Sequence, residues 1–247
     1  MPFGRNNWHW QALSWWLMVI AVALMLKYHY SIATAADLEW MLRPLSFLLE
    51  WLTGHDFHRD NHYEWVSISA DIRLVKACAG INFMLMSFIA YAWIIRPDRY
   101  VDTDRLSWIA GQPLLLCAAI IASWITCLLA NSLRIIVAMT VKSHGWELDV
   151  IGIDATELHR LIGMAIYVPL LSMQMMLGNR SSLRAILAAP VLLYLLLMVM
   201  VPLLTGNAMQ HPELFIDHLR QLLVMMVFLL GIYFLCRDRL WYVGAGS

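Results

Sequence analysis

The sequence predicts an all-α, polytopic membrane protein with about six transmembrane helices, both termini in the cytoplasm, and one integral membrane domain over residues 1–247. Of its 247 residues, 61% are hydrophobic and 14% are charged, whereas a soluble domain carries about 25% charged residues. Runs without Asp, Glu, Lys or Arg cover 6–26, 77–95, 106–133, 161–179, 185–212 and 221–236. Because a bilayer core needs roughly 17–25 apolar residues as a helix, we assign one span to each run.

The distribution of positive charge predicts the orientation of these spans. Lys and Arg are denser in segments 1–9, 96–106, 178–184 and 237–247 than in the longer segments between the other span ends. Dense positive charge in short loops marks the cytoplasmic side. We therefore expect a multi-pass protein of the inner (plasma) membrane whose long loops face the periplasm or exterior.

The domain divides into three parts along the chain. Residues 1–65 form an N-terminal anchor with an outer interfacial segment, residues 66–177 a catalytic core, and residues 178–247 a C-terminal helical hairpin. Ala33-Thr34-Ala35 follows the first apolar run like a signal cleavage site. We favour an uncleaved anchor, because the apolar stretch is longer than the 7–15-residue core that is usual in a signal peptide.

Two short patterns lie in the first outer segment. Residues 37–52 place leucines at helical spacing between charged residues, which predicts an amphipathic helix on the membrane surface rather than another span. Residues 66–75 alternate between apolar and polar, which predicts an extended strand or hairpin arm. This short extended segment leads directly into Lys76-Ala77-Cys78-Ala79-Gly80, where the second span begins.

Cys78 is the first candidate for chemistry. We expect it to begin a helix at the outer face, where the positive end of the helix dipole, aided by Lys76, raises the thiolate fraction. The alternative is a small side chain that packs at a helix start, the commoner fate of a cysteine.

Two further polar residues belong to the same outer layer of the membrane. Arg134 lies in an apolar stretch that Asn131-Ser132-Leu133-Arg134 is expected to interrupt. A centred arginine costs at least about 2.5–3.5 kcal/mol, so it either faces a cavity or partner, or extends to the interface. His159 precedes the run at 161–179 and shares a helix face with Gly163; alternatively, it only marks the membrane boundary.

Together, Cys78, Arg134 and His159 have the composition of a cysteine acyl-transfer site. The thiolate would attack a carbonyl, the histidine would transfer the proton, and the arginine would stabilise an oxyanion or a substrate carboxylate. No metal and no cofactor is required. No basic block of the kind that binds nucleic acid is present.

A second cluster competes with this hypothesis. The loop at 55–62 holds His55, His58 and His62 with Asp56 and Asp60, a spacing that suits zinc or a softer transition metal. The alternative is a polar, solvated loop, which we favour. The zinc-protease pattern His-Glu-x-x-His is absent from the sequence.

Three short motifs resemble those of the exosortase/archaeosortase family. Ala77-Cys78-Ala79-Gly80-Ile81 resembles its Cys-Ser-Gly motif, with Ala79 where serine is most often found. Asn131-Ser132-Leu133-Arg134-Ile135 resembles Asn-x-x-Arg, and Leu158-His159-Arg160-Leu161-Ile162-Gly163 resembles a histidine shortly before a glycine. The order of the motifs also agrees, and the resemblance covers roughly residues 66–177.

The resemblance implies a membrane-embedded transpeptidase, a cysteine protease or hydrolase of the protein-sorting (PEP-CTERM) type. Its partners would be exported proteins with a C-terminal tail: a short motif such as Pro-Glu-Pro, a transmembrane helix and a basic cluster. The enzyme would cut near the motif through a thioacyl intermediate and transfer the protein to a surface acceptor such as a glycan or lipid. Cys78 would be the nucleophile, His159 the acid/base, and Arg134 the oxyanion- or substrate-orienting group.

Two other classes of function stay open at this point. A non-enzymatic membrane protein, such as a small transporter or an assembly subunit, predicts that Cys78 tolerates substitution. A metal-dependent membrane hydrolase that uses the loop at 55–62 predicts that chelators abolish activity and that substitution of Cys78 leaves activity unchanged.

Overall fold

The computed structural model describes residues 7–96, 105–144 and 155–178, with scattered positions between 192 and 231. The helices are α1 (Asn7–Ile32), α2 (Glu39–Thr53), α3 (Ile81–Ile94), α4 (Arg105–Ser143) and α5 (Ala155–Gly178); the strands are β1 (His58–Arg59), β2 (Trp65–Ser67) and β3 (Ile72–Leu74). A 3-10 turn over Lys76–Ala79, called the Cys78 turn below, joins β3 to α3. The chain divides into two compact units, Met1–Leu170 and Leu171–Ser247.

The protein is mostly helical, and three helices are long and apolar enough to cross a membrane. The three stretches are Ala12–Ile32, Lys76–Ile94 and Gly111–Ser143, and Leu161–Leu177 is a shorter apolar helix. These four stretches agree with the first four apolar runs of the sequence. The last two predicted spans and both chain ends lie outside the described residues, so six spans and their orientation stay predictions.

Helix α3 lies at the centre of the first unit, between α1 and α4. A core of buried side chains from all three helices holds them together: Trp15, Val19, Phe88, Ala92 and Ala119. Hydrocarbon tails are as apolar as these side chains, so in a bilayer close van der Waals packing, rather than removal from water, stabilises such a core. The small Ala92 and Ala119 allow the neighbouring helices to approach closely.

Polar side chains add hydrogen bonds between the three helices at several levels. Near one end, the Gln112 amide donates to Ser14 Oγ (3.3 Å). The others join Trp15 Nε1 to the Ala92 carbonyl (3.2 Å), Tyr91 to Thr126 (3.0 Å between hydroxyl oxygens) and Lys27 Nζ to Asn82 Oδ1 (2.7 Å). Each such bond between membrane helices contributes about 0.6–2 kcal/mol.

Helix α4 runs without a break over 39 residues. The predicted interruption at Asn131-Ser132-Leu133-Arg134 is therefore wrong: these residues are helical, and three of them are buried. Asn131, Ser132 and Arg134 are buried within the protein while the helix continues through them. At 1.5 Å per residue, α4 is roughly 58 Å long, longer than the roughly 30 Å hydrocarbon core.

The predicted amphipathic helix is confirmed as α2. Its buried face is formed by Met41, Leu42, Leu45, Ser46 and Leu49, and packs against α4, the Cys78 turn and β2. The opposite face exposes Phe47 and Trp51. The helix ends at Gly54, whose left-handed conformation (φ +71°) lets its N–H donate to the Glu50 carbonyl (2.8 Å). A location of α2 on the membrane surface stays a prediction.

The alternating segment forms two strands and a turn within a small antiparallel sheet of order β1-β2-β3. Trp65 is opposite Leu74, and Ser67 is opposite Ile72, so the chain reverses over residues 68–71. Lys142, near the end of α4, holds this turn: its Nζ lies 2.5 Å from Asp71 Oδ2. This contact shows that the sheet and the last turn of α4 lie at the same end of the helices as the Cys78 turn.

Asp60 organises the tighter connection between β1 and β2. Its Oδ1 accepts hydrogen bonds from the backbone N–H groups of His62 (2.8 Å) and Glu64 (2.9 Å), and Tyr63 between them has φ +62°. The Glu64 amide, and then the His62 amide, lower the pKa of Asp60 below its ordinary value of 3.8. These bonds form to the ionised carboxylate, so their stabilisation is present above pH 3.8 and is lost as the pH falls through the lower, folded-state pKa.

Substituting Asp60 by alanine should therefore lower the thermal unfolding temperature at pH 7 by a few degrees, because two backbone donors lose their acceptor. The difference from the wild type should shrink at pH 3, because below pH 3.8 the unfolded chain increasingly binds the proton that the folded carboxylate resists. Thermal unfolding of the detergent-solubilised protein at both pH values measures it. Asp56→Ala, at an exposed aspartate of the same loop, is the control; an equal loss for both variants would contradict the role given to Asp60.

Candidate functional site

The Cys78 turn presents a buried thiol between the sheet and α3. The Cys78 N–H donates to the Val75 carbonyl (2.8 Å), and the residue is 9% exposed. Gly80 follows with φ +66°, a left-handed conformation that glycine adopts at little cost, and α3 begins only at Ile81. The expectation that Cys78 itself begins the helix is therefore wrong, because Gly80 separates its turn from the helical path.

Two lysines join the C-terminal part of α1 to the Cys78 turn and to the start of α3. Lys76 Nζ donates to the carbonyl of Ala33 (2.6 Å) and also lies 3.4 Å from that of Ser31. Such donors satisfy carbonyls that lack an intrahelical partner at a helix C-terminus. Lys27 makes the second link, through Asn82 in the first turn of α3. Lys76 thus anchors the turn, which differs from the predicted direct support of a thiolate.

Helix α4 supports the turn from another side through Cys127 and Asn131, which lie one helical turn apart. Cys127 Sγ lies 3.3 Å from the Gly80 carbonyl oxygen and 3.7 Å from that of Ala79, as a weak donor to both. Asn131 Nδ2 donates to Cys127 Sγ (3.6 Å). The Asn131 amide also packs directly on Gly80, where an added Cβ would lie 2.0 Å from Nδ2. The carbonyl end of the Cys78 turn thus rests on α4.

Arg134 follows on the same face of α4 and is 8% exposed. Its side chain packs against α5: an added Cβ at Gly163 would lie 3.4 Å from Arg134 Cδ and 3.9 Å from Nη1. The guanidinium carbon lies 5.5 Å from the centre of the Tyr167 ring. Of the two alternatives for this arginine, a buried position against a partner agrees with the structure, and an extended side chain at the interface does not.

The edge of the guanidinium formed by Nε and Nη2 has no hydrogen-bond partner among the described residues. Nε and Nη2 are buried, and neither has a hydrogen bond to any of the described residues. Buried polar groups are nearly always hydrogen-bonded, and leaving charged donors unsatisfied is costly. Two adjacent donors of this kind match the oxygens of an anionic group. Arg134 lies about one helical turn beyond Asn131, whose amide packs on Gly80, so these donors and the Cys78 turn belong to one neighbourhood.

Helix α5 contributes Tyr167, which sequence reasoning missed. Its hydroxyl donates to Asn131 Oδ1, and its ring stacks on Phe83 of α3 with 4.3 Å between ring centres. The signal was present in the sequence: Tyr167 is four residues after Gly163, on the helix face assigned to His159 and Gly163. A tyrosine in an apolar helix needs a partner for its hydroxyl.

His159 lies in the first turns of α5, and helical spacing places it on the same face as Gly163 and Tyr167. Its side chain lies outside the described residues. The structure therefore brings together the regions of Cys78 and Arg134, while the approach of His159 to the thiol stays a prediction.

The three histidines of the loop at 55–62 have separate surroundings. His55 Nδ1 is 3.0 Å from Ser69 Oγ, His58 belongs to β1, and Asp60 is bonded to the backbone of its own turn. Within the part of the chain that the structure describes, no group of three or more His, Cys, Asp and Glu side chains is placed to hold a metal ion.

The protein is thus mostly helical, with three candidate membrane spans. A buried cysteine and a buried arginine lie near one end of these spans. No protein-family model, no curated protein and no solved structure matches the chain. The motifs and the local geometry are thus the basis for any proposal about function.

Proposed function

We propose that this protein is a membrane-embedded cysteine transpeptidase or protease that cuts the C-terminal sorting tail of exported proteins. One observation carries the proposal: two donors of the buried Arg134 have no hydrogen-bond partner among the described residues, and they lie about one helical turn beyond the Asn131 amide that packs on the Cys78 turn. A purely structural arginine would be expected to use these donors within the protein. The sequence motifs around Cys78, Arg134 and His159 support the same conclusion, since they resemble those of the exosortase/archaeosortase family.

In the proposed reaction, the Cys78 thiolate attacks the carbonyl carbon of the scissile peptide bond. Arg134 stabilises the oxyanion that forms or holds a carboxylate of the substrate, and His159 gives a proton to the leaving amine as the C–N bond breaks. The product is a thioester between Cys78 and the exported protein. A hydroxyl or amine of a surface acceptor, or water, then attacks the thioester and gives a proton to His159; the C–S bond breaks, and His159 returns that proton to the Cys78 sulfur.

We propose the periplasmic or exterior side of the inner membrane for this chemistry, with six spans and both termini in the cytoplasm. The supporting argument is the charge distribution of the loops. A substrate with its own transmembrane helix would approach within the bilayer plane. Its cleavage motif would then meet the end of the helices where the Cys78 turn and the sheet lie.

The experiment that tests the proposal follows an exported reporter with a Pro-Glu-Pro motif, a transmembrane helix and a basic cluster at its C-terminus. Cells make either wild-type protein, Cys78→Ser or Cys127→Ser at matched levels. We expect cleavage by the wild type, none by Cys78→Ser, and substantial cleavage by Cys127→Ser, because Cys127 only supports the turn.

The same experiment separates the alternatives. Equal cleavage by Cys78→Ser and the wild type would contradict the thiol mechanism and leave Cys78 a packing residue, as a non-enzymatic protein predicts. Cleavage that survives in Cys78→Ser and is lost in His58→Ala would favour a metal-dependent hydrolase instead.

A further inference from the structure

Tyr167 contacts both halves of the candidate site with one side chain. Its hydroxyl donates to Asn131, which packs on Gly80 at the end of the Cys78 turn. Its ring lies beneath the Arg134 guanidinium, at 5.5 Å from ring centre to guanidinium carbon. Phe83 of α3 stacks on the ring at an interplanar angle of 17° and thereby fixes its plane.

The hydroxyl determines how the Asn131 amide is oriented. Asn131 is fully buried, with its NH₂ group towards Cys127 and Gly80 and its oxygen towards Tyr167. Without the hydroxyl, the Asn131 oxygen loses its donor in a buried site, which favours rotation or withdrawal of the amide. Because Nδ2 lies directly on Gly80, any rotation or withdrawal of the amide removes a support of the Cys78 turn.

The ring has a separate effect on Arg134. A guanidinium over an aromatic face is attracted electrostatically to the electron-rich face of the ring. Gly163 leaves room for the arginine on the neighbouring turn of α5. The ring therefore fixes the position of the two unpartnered donors without using either of them.

We infer that Tyr167 is a positioning residue for the candidate site, which sets the Cys78 turn through its hydroxyl and the Arg134 guanidinium through its ring. This inference rests on the proposed function for its meaning in catalysis. Its two parts make separate predictions, because Tyr167→Phe removes the hydroxyl and keeps the ring, whereas Tyr167→Leu removes both.

Alkylation of Cys78 tests the geometry without any substrate. The thiolate sulfur displaces iodide from neutral iodoacetamide or anionic iodoacetate, and mass spectrometry of peptides measures modification at Cys78 alone. The iodoacetamide rate reports the exposure of the turn. The ratio of the iodoacetate rate to the iodoacetamide rate reports the positive charge near the sulfur, and Arg134→Gln gives its value without that charge.

Tyr167→Phe should alkylate with iodoacetamide faster than the wild type by about fivefold, the effect of one lost hydrogen bond, with an unchanged charge ratio. Tyr167→Leu should also lower the ratio to that of Arg134→Gln. In the reporter assay, Tyr167→Phe should cut about fivefold to tenfold more slowly. The control is Tyr91→Phe, which loses a hydroxyl bonded to Thr126 between α3 and α4 and should match the wild type in each assay.

Wild-type iodoacetamide rates in Tyr167→Phe, or a wild-type charge ratio in Tyr167→Leu, would overturn the corresponding half of the inference. Equal acceleration in Tyr91→Phe would reduce the effect to general loosening of the helices and overturn it as well. The alkylation results decide the matter even if Cys78→Ser cuts the reporter normally, in which case the proposed function fails and the positioning role is judged by itself.

Discussion

Replacing Arg134 by glutamine should slow reporter cleavage by about 10²–10³-fold, the loss typical of removing a group that stabilises an oxyanion. Glutamine keeps a polar side chain of moderate length but loses the charge and the two adjacent donors. Lysine should recover only part of the activity, because an ammonium group is a point charge without the planar pair of donors. Cleavage rates at matched protein levels, measured by immunoblot of the reporter, give the result.

The same substitution should cost little stability, and a large loss of activity without a matching loss of stability is expected of a functional arginine. Removing Nε and Nη2 breaks no hydrogen bond among the described residues and relieves the burial of a charge, which offsets the lost contact with the Tyr167 ring. Arg134→Gln should therefore unfold close to the wild-type temperature. Arg73→Gln, at an exposed arginine 3.2 Å from Glu64, is the control and should cleave normally. An Arg134→Gln protein that is both unstable and more than half active would contradict the assignment.

Gly80→Ala is expected to have the second large effect, on the structure of the Cys78 turn. The new methyl carbon would lie 2.0 Å from Asn131 Nδ2, well inside van der Waals contact, and 2.8 Å from two further atoms of that amide. A left-handed conformation adds about 1–2 kcal/mol for a residue with a Cβ. We expect a strong loss of thermal stability and of cleavage, measured on the solubilised protein and with the reporter.

Gly54→Ala is the matched control for the cost of a left-handed backbone at a residue with a Cβ. Gly54 has φ +71°, close to the +66° of Gly80, but an added Cβ there would have no atom within 4 Å. It should therefore show only the conformational cost. The double variant Gly80→Ala/Asn131→Ala should recover part of the stability of Gly80→Ala, because it removes the amide that the methyl group meets. If Gly80→Ala were no worse than Gly54→Ala, the close packing of Asn131 on the turn would be contradicted.

The parts of the fold that depend on periodicity were predictable from the sequence. Leu42, Leu45 and Leu49 recur at helical spacing, and α2 forms there with these residues buried. The alternation after residue 65 correctly indicated extended chain. It did not reveal the reversal at residues 68–71, because a turn can keep the alternating pattern while its residues leave the sheet. The distant Lys142 contacts Asp71 in that turn, and hydropathy does not reveal this pair either.

Some residues of the candidate site were predictable from the sequence, but its arrangement was not. The positions of Cys78 and Arg134 in apolar surroundings marked them as exceptional. The sequence could not show that Asn131 bonds to Tyr167, since that contact depends on how α4 and α5 pack. By hydropathy alone, polar residues in an apolar run suggest that the helix is interrupted. In the structure, they lie on a buried face of a continuous helix. Cys127 was overlooked for the same reason, because its contacts are with the backbone of a different helix.

The hydrogen bonds between α1, α3 and α4 have a consequence for how the protein assembles in a membrane. Apolar helices in a bilayer could slide along one another with little change in packing energy, and many near-equivalent alignments would compete. The pairs Gln112–Ser14, Tyr91–Thr126 and Lys27–Asn82 lie at different depths. A shift of one turn, about 5.4 Å, would part all of them at once. The polar pairs therefore select one vertical alignment, and only that alignment places the Cys78 turn level with Arg134.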